Sequence, residues 1–167
     1  MATVPVEYTE DKIRTLSSLD HIRLRPGMYI GRMGNGTHAD DGIYVLVKEV
    51  IDNAIDEFIM GYGKKVDVEV GEDTVRIRDY GRGIPLGKLV DCVSQINTGA
   101  KFNDDVFQFS VGLNGVGTKA VNALSSHFRV VSHRDGKAKS ATFAGGKLIE
   151  QKDLKTDEPN GTFVEFR

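Results

Sequence analysis

The feature that most constrains the fold of this chain is an amphipathic segment at residues 41–60. Its apolar residues recur at intervals of three and four, which places them along one broad side of an α-helix: Ile43, Val47, Val50, Ile51, Ala54, Ile55 and Phe58. Gly61 and Gly63 end the pattern, as glycine commonly does after a helix. Such a helix is stable only when its apolar side packs on another layer, so the pattern predicts a layered domain.

The segments around this helix predict a mixture of strands and short helices. Ser17 begins a short helix that ends before Pro26, because the residue before proline is driven out of the helical region. A β-hairpin and then two helical segments are predicted at Lys65–Val70 with Thr74–Asp79, at 86–96 and at 118–124. Four strand-like runs follow, with turns at Asp135-Gly136, Gly145-Gly146 and Asn160-Gly161. This order predicts an α+β fold, a two-layer sandwich of a mixed β-sheet with helices on one face.

Length and composition favour a single globular domain that spans all 167 residues. Residues 1–16 are interpreted as an N-terminal arm, while the glycine-rich residues 97–117 are typical of a lid or binding loop. A single cysteine, Cys92, excludes an internal disulfide and favours a reducing compartment. No apolar run reaches the roughly 20 residues that span a bilayer, and no signal-peptide pattern is present. We therefore expect a cytoplasmic protein.

Three polar residues of the long helix face away from its apolar side. At 100° per residue, Glu49, Asn53 and Asp56 fall within about 60° of one another. Beside an anionic ligand, a carboxylate and an amide one turn apart could respectively activate a water molecule and hold a divalent cation. On the helix alone, however, a solvated polar face is the simpler interpretation.

A second polar block, Arg78 to Pro85, follows from the second strand of the predicted hairpin. Its glycines allow a tight backbone that a ligand can approach closely. Asp79, at the end of the strand, could accept a hydrogen bond from an exocyclic amine such as that of adenine. An ordinary Asp-x-Gly turn without a ligand explains the block equally well.

A third block, Gly112 to Gly117, leads into the predicted helix at 118–124. Glycine N–H groups at a helix N-terminus form a phosphate site, because the helix dipole leaves partial positive charge there. Gly115 to Ala120 has the letters of the dinucleotide fingerprint, but no buried parallel strand precedes it and no βαβ unit follows. The block also has Walker spacing, yet Thr118-Lys119 follows where Lys-Thr is required. Both familiar motifs are therefore excluded.

In this order, the three blocks resemble the ATP-binding domain shared by gyrase, Hsp90, sensor histidine kinases and MutL, which has the Bergerat (GHKL) fold. The four motifs of that superfamily are matched by Glu49–Asn53, Asp79–Gly83, Gly112–Gly117 and Thr162. Arg25–Gly31 and Val121–Leu124 narrow the resemblance to the ATPase subunit of bacterial type II DNA topoisomerases. The resemblance runs from about residue 8 to residue 166.

The resemblance implies a role for each of the best-matched residues. Glu49 would be the general base that polarises the attacking water, and Asn53 would bind the Mg²⁺ ion that accompanies the phosphates. Asp79, supported by Thr162 and a water molecule, would accept the adenine amino group. Backbone N–H groups from Gly112 to Gly117 would wrap the phosphates.

Further contacts with ATP are implied around these positions. Tyr8 matches an arm tyrosine that reaches the nucleotide site of the partner subunit. Phe107 stands where the family often has an adenine-contacting tyrosine, so it could stack on adenine but not donate a hydrogen bond. The surface that binds aminocoumarin-type inhibitors in relatives would be edged by Arg82, Pro85 and Arg134. The other positions assigned to the ATP site are Asp56, Gly83, Ile84, Lys101 in the lid, Leu113, Asn114, Gly115 and Val116.

The resemblance implies that ATP binding and hydrolysis drive closure of a dimer gate for ATP-dependent DNA strand passage. The partners would be a second copy of the subunit and a DNA-cleaving subunit. DNA would be held mainly by the rest of the enzyme, because a net charge of −2 is not that of a DNA-gripping domain. Topoisomerase IV is favoured over gyrase by Asn114 in place of His, Val111 in place of Gly, Tyr80 in place of Asp or Asn, and a short segment between Pro85 and Thr98.

The resemblance also implies that the catalytic machinery in this chain is incomplete. In the family a lysine from the following transducer domain completes the γ-phosphate site, and we expect that domain and later ones to be absent here. ATP should therefore bind but turn over slowly. One rival hypothesis, phosphotransfer as in a histidine kinase, lacks an acceptor histidine on a preceding helical domain. The other, a non-catalytic nucleotide-binding or scaffold module, is opposed by the presence of Glu49 and Asn53.

Overall fold

The computed structural model describes residues 9–98 and 115–167 of the chain. In these ranges the helices are Ser18–Leu24 (α1), Gly27–Ile30 (α2), Gly42–Ile59 (α3), Leu89–Ser94 (α4) and Gly117–Leu124 (α5). The strands are Val66–Val70 (β1), Val75–Asp79 (β2), Phe128–Arg134 (β3), Lys137–Ala144 (β4), Lys147–Lys155 (β5) and Gly161–Phe166 (β6). Short 3₁₀ turns lie at Glu10–Lys12 and Leu86–Lys88. No helix in the described ranges is both long and apolar enough to cross a membrane.

These strands form one sheet in the order β1-β2-β6-β3-β4-β5. The α+β sandwich expected from the sequence is confirmed, but the sheet differs from the mixed one expected, since every neighbouring pair is antiparallel. The reason lies in the connections: β1–β2, β3–β4 and β4–β5 are joined by tight turns, which give antiparallel pairs. β6 inserts between β2 and β3, antiparallel to both.

The core lies between the sheet and helices α3, α4 and α5. Its buried members are Val50, Leu89, Val93 and Val121 from the helices, and Ile77, Phe128, Val130, Ala141, Phe143, Val164 and Phe166 from the strands. Full burial of a large apolar side chain contributes about 1.5–3 kcal/mol. A second cluster joins α1 and α2 to the other side of α5 through Leu19, Ile22, Ile30, Ala120 and Ala123. Helix α5 is thereby held on both sides.

Helix α3 has the predicted period, but only part of its predicted apolar side is buried. Val50 and Ala54 are buried, whereas Ile43 and Phe58, near the two ends of the helix, are 54% and 60% exposed. The side chains that pack on the core come from the middle of the helix. Asp56, expected on a polar face away from the core, is fully buried. Periodicity gives the orientation of a helix but not the extent of the layer that covers it.

The entry to α3 is fixed by a buried carboxylate that sequence reasoning did not single out. Asp41 is fully buried and lies directly before the helix. Its Oδ2 accepts hydrogen bonds from the N–H groups of Gly36 (3.0 Å) and His38 (3.2 Å). Its Oδ1 lies 3.1 Å from Nε of Arg32. This carboxylate therefore ties the preceding loop to the start of the helix that carries Glu49 and Asn53.

Local sequence rules predicted the shorter helices only in part. Ser17 caps α1 as predicted, its side chain accepting the N–H of Asp20 at 3.2 Å. The predicted helix at 86–96 is a 3₁₀ turn followed by α4, which ends at Ser94. Helix α2 was not predicted, because its four residues are too few to show a period.

Candidate functional site

Glu49 and Asn53, one turn apart on α3, lie against the start of α5. The Asn53 Nδ2 group donates to the backbone carbonyl of Glu49 at 3.0 Å and to Oγ1 of Thr118 at 2.8 Å. A Cβ built on Gly117 would lie only 1.9 Å from Oε2 of Glu49. The carboxylate therefore occupies the space that a side chain at position 117 would fill. The sequence placed Gly117 in a different motif from Glu49 and Asn53, and the fold brings the two motifs together.

The backbone at the start of α5 has the form of an anion site. Gly115 has a φ of +61°, a conformation that glycine adopts readily. Val116 is the N-cap residue and Ala120 donates to its carbonyl at 2.9 Å. Because valine has no polar side-chain atom, it cannot satisfy the N–H groups of the first turn, as Ser, Thr, Asp or Asn would. Such N–H groups can bind phosphate oxygens.

Asp79 ends β2 as a buried carboxylate fixed by backbone groups. It is 9% exposed, and its Oδ1 accepts the N–H groups of Gly81 (2.9 Å) and Thr162 (3.1 Å). Burial raises the pKa of Asp79, and these two hydrogen bonds partly offset that rise. Thr162 is brought here by the pairing of β6 with β2. Thr162, which was predicted to support Asp79, thus contacts this carboxylate through its backbone N–H.

The turn after Asp79 is fastened to the end of β3. Gly83 has a φ of +74°, and a Cβ there would lie 2.6 Å from the carbonyl oxygen of His133. Arg134 donates from Nη1 to the carbonyl of Gly83 at 3.1 Å. Ser132 donates to the carbonyl of Ile84 at 2.6 Å. Gly83 and Arg134, both assigned to the ATP site from the sequence, are therefore in contact here, and Ile84, also assigned to that site, contacts Ser132.

Glu57 is a residue of this region that sequence reasoning missed. Its carboxylate accepts two hydrogen bonds from the Arg82 guanidinium in a bidentate arrangement, from Nε to Oε2 at 3.1 Å and from Nη2 to Oε1 at 2.9 Å. The backbone N–H of Arg82 also donates to Oε2 at 2.8 Å. The Arg82 guanidinium lies 4.4 Å from the ring centre of Tyr62. Glu57 follows Asn53 by four residues and so projects from a similar side of α3, a signal in the sequence that could have identified it.

A cleft of about 190 Å³ next to Asp79 is lined by residues of α3 and by Val66 of β1. Its lining includes Ala54, Phe58, Tyr62, Asp79 and Gly81. The cleft therefore shares Asp79 with the predicted adenine site and adds aromatic side chains to its surroundings. Beside it, Tyr80 donates from its hydroxyl to Asp67 of β1 at 2.8 Å.

The remaining predicted site residues fall into two groups. Pro85 lies directly before the 3₁₀ turn, where the N–H of Lys88 donates to its carbonyl at 2.9 Å. Asp56, although assigned to the ATP site, is fully buried within the protein. The predicted site positions outside the described residues are Tyr8, Lys101, Phe107, Gly112, Leu113 and Asn114.

Comparison with known proteins identifies the protein family to which this chain belongs. The family model described as histidine kinase-, DNA gyrase B-, and HSP90-like ATPase matches residues 38–167, and the chain belongs to this family. It is 66% identical over 159 residues to the B subunit of DNA topoisomerase 4 from Borreliella burgdorferi, across 95% of this chain and 26% of that protein. To the B subunit of DNA gyrase from Borrelia hermsii it is 36% identical over 171 residues, across 96% of this chain and 26% of that protein.

A solved structure confirms the fold class. The crystal structure of the 43K ATPase domain of Thermus thermophilus gyrase B in complex with an aminocoumarin matches with a TM-score of 0.72 and 29% identity. The match covers 91% of this chain and 39% of that chain. The chain spans about a quarter of the length of the curated relatives described above.

Proposed function

We propose that this chain is the ATP-binding and ATP-hydrolysing part of a type II DNA topoisomerase of the topoisomerase IV type. The observation that carries the proposal is the convergence of Glu49 and Asn53 of α3 on Gly117 and Thr118 of α5. At this contact a carboxylate, an amide and a helix N-terminus lie together. Such groups can respectively activate water, bind a cation and bind phosphate oxygens. The topoisomerase IV type is supported by the higher identity to the topoisomerase 4 relative than to the gyrase relative.

Adenine is proposed to bind at Asp79. The N–H groups of Gly81 and Thr162 fix one carboxylate oxygen, which leaves Oδ2 to accept the adenine amino group. A preorganised acceptor in a buried site discriminates strongly, because a ligand without the donor would leave it unpaired. Arg82, Gly83, Ile84, Pro85 and Arg134 are proposed to form the rim of this pocket.

The residues at the other end of the site fit a magnesium ion. Because Nδ2 of Asn53 donates to two protein oxygens, Oδ1 is the end of this amide suited to a cation. An amide oxygen is a hard oxygen ligand, and Mg²⁺ needs few such ligands from the protein because it keeps several waters and binds the phosphates of its substrate. When bound, such an ion would neutralise charge on the phosphates. Glu49 would orient the attacking water and take its proton.

The assembly and location of the whole enzyme are further parts of the proposal. We propose a second copy of the subunit, with Tyr8 of its arm reaching the nucleotide, and a DNA-cleaving partner subunit. Nucleotide-driven dimer closure would then serve DNA strand passage in the cytoplasm. These proposals rest on the identity to the B subunits of DNA topoisomerase 4 and of DNA gyrase.

Replacement of Glu49 by Gln tests the hydrolytic role. Phosphate release should fall by about 10²–10⁴-fold, the range typical of a lost general base, while the affinity for a non-hydrolysable ATP analogue stays within a few-fold. Single-turnover assays with the chain in excess over ATP measure the slow rate expected of this chain. Glu150→Gln, on the exposed strand β5, is the matched control. Equal phosphate release by wild type and Glu49→Gln would contradict the assignment.

A further inference from the structure

Arg78, the neighbour of Asp79 in β2, links two chain segments at the adenine end of the proposed site. Its Nη1 donates to the backbone carbonyl of Asp79, and its Nη2 donates to the backbone carbonyl of Pro159 at 2.6 Å. Pro159 lies just before β6, the strand that carries Thr162. One planar guanidinium, which presents its donors as a rigid fork, therefore connects the end of β2 to the segment that enters β6.

The strand pairing shows where this link lies relative to Asp79. The register between β2 and β6 runs from Val75 and Phe166 to Arg78 and Phe163. Beyond this last pair, the N–H of Thr162 donates to the side chain of Asp79. The Arg78 guanidinium then holds the chain on the far side of Thr162, at Pro159. The contact between Thr162 and Asp79 thus lies between the end of the ladder and the arginine link.

Gly161 shows how closely the two segments approach. Its φ is +139°, and a Cβ there would lie 2.2 Å from the carbonyl oxygen of Asp79 and 2.3 Å from Nη1 of Arg78. The chain therefore fits against the guanidinium only because position 161 has no side chain. The preceding residue, Asn160, is held by a different element, since its Oδ1 accepts the N–H of Asp135 at 2.7 Å.

The Arg78 guanidinium is itself restrained by Tyr80, a position where this chain departs from the gyrase pattern. Cζ of Arg78 lies 4.7 Å from the centre of the Tyr80 ring, within the range of a cation–π contact. The Tyr80 hydroxyl donates to Asp67 of β1 at 2.8 Å. The ring is thus fixed by β1 while it packs on Arg78, which limits the positions that the guanidinium can take.

We propose that Arg78 is a positioning residue of the adenine end and that it holds the Thr162 N–H group on Asp79. This inference rests on the proposed function, in which Asp79 accepts the adenine amino group. Without the guanidinium, the segment at Pro159 loses its link to β2. Oδ1 of Asp79 then loses one of the two N–H groups that fix it. Oδ2 would no longer be preorganised for adenine, and binding would weaken.

Arg78→Met tests the proposal, with Arg76→Met as the matched control. The substitution removes the guanidinium donors but keeps an unbranched side chain. Arg76 lies two residues earlier on the same face of β2, and it forms ion pairs with Glu69 and Glu165. Isothermal titration of a non-hydrolysable ATP analogue with Mg²⁺ should show an affinity about tenfold lower for Arg78→Met, the size of a hydrogen bond to a charged group. The affinity of Arg76→Met should be unchanged.

Two further measurements separate positioning from a general loss of structure. The single-turnover rate of Arg78→Met at saturation should equal that of wild type, because Glu49 and Asn53 lie at the other end of the site. Hydrogen exchange of the Thr162 amide, measured without nucleotide, should be faster in Arg78→Met than in wild type and unchanged in Arg76→Met. Arg78→Lys should restore only part of the protection, since lysine lacks the planar fork.

The remaining outcomes count against the inference. Equal losses of affinity in Arg78→Met and Arg76→Met, or a saturated rate that falls as much as the affinity, would show that Arg78 acts only through overall stability. Unchanged exchange at Thr162 would also overturn the proposal. If wild type does not bind the analogue, the proposed function fails, while the Thr162 exchange still decides what Arg78 holds. Should Arg78→Met not fold, Tyr80→Leu takes its place, and absence of both effects in that variant would overturn the inference.

Discussion

At the scale of single residues, the candidate site depends on glycines that let two backbones meet. Gly83 approaches the His133 carbonyl, and Gly117 leaves room for the Glu49 carboxylate. Both positions were selected from the sequence as parts of glycine-containing motifs. The partner that each glycine makes room for was not predicted, because contacts between distant segments depend on the packing of whole elements.

Replacement of Gly83 by Ala should destabilise the protein by about 3 kcal/mol. A positive φ costs an L-residue about 1–2 kcal/mol, and the clash of the new Cβ with the His133 backbone adds about 1–3 kcal/mol. Gly136→Ala is the matched control, since its φ is +76° but a Cβ there meets nothing within 4 Å. Urea unfolding measures both variants. Equal losses for the two variants would show that the contact with β3 is not tight.

The raised pKa of Asp79 predicts a specific pH dependence of stability. Because the folded-state pKa lies above the ordinary value of 3.8, the folded protein binds this proton more tightly than the unfolded chain. The carboxylate therefore lowers stability as pH rises from about 4 through the raised folded pKa. Asp79→Asn removes this penalty.

The difference in unfolding free energy between Asp79→Asn and wild type measures this effect. It should grow in favour of the variant as pH increases through that window and be constant above it. Urea unfolding between pH 4 and pH 8 is the measurement. A difference that is constant with pH, or that grows in favour of wild type, would contradict the pKa direction and its assignment to burial.

At the scale of elements, the site is the contact between α3 and α5. Asn53 and Thr118 join the two helices directly, and α5 is held from its other side by α1 and α2. A period of 3.6 residues was enough to predict α3 and to place Glu49 and Asn53 on one face. It did not predict α2, which is one turn long, or the burial of Asp56, which depends on what packs around the helix.

Replacement of Gly117 by Ala should reduce ATP hydrolysis by about 10²-fold. The new Cβ would lie 1.9 Å from Oε2 of Glu49 and displace this carboxylate, and displacement of a catalytic group by about 1 Å can cost this much in rate. Gly87→Ala, where a Cβ meets nothing within 4 Å, should have no such effect. Single-turnover phosphate release measures the rate and the melting temperature checks folding. Unchanged hydrolysis by a folded Gly117→Ala variant would contradict the proposed position of Glu49.

At the scale of the whole molecule, the sequence predicted the two-layer architecture and the order of helices and strands, apart from the one-turn helix α2. The hairpin at β1–β2 and the turns at Asp135, Gly145 and Asn160 were predicted because turn chemistry is local. The position of β6 between β2 and β3 was not, since long-range pairing leaves no periodic signal in the sequence. That pairing is what brings Thr162 to Asp79, so the association of these two residues was predicted only from the family resemblance.

The most direct test is isothermal titration of a non-hydrolysable ATP analogue, with Mg²⁺, into wild type and Asp79→Asn. Asp153→Asn, on the exposed strand β5, serves as the control. We expect wild type and the control to bind, and the affinity of Asp79→Asn to fall by about a hundredfold because its amide presents a donor to the adenine amino group. Equal binding by wild type and Asp79→Asn would place the nucleotide elsewhere and contradict the proposed site.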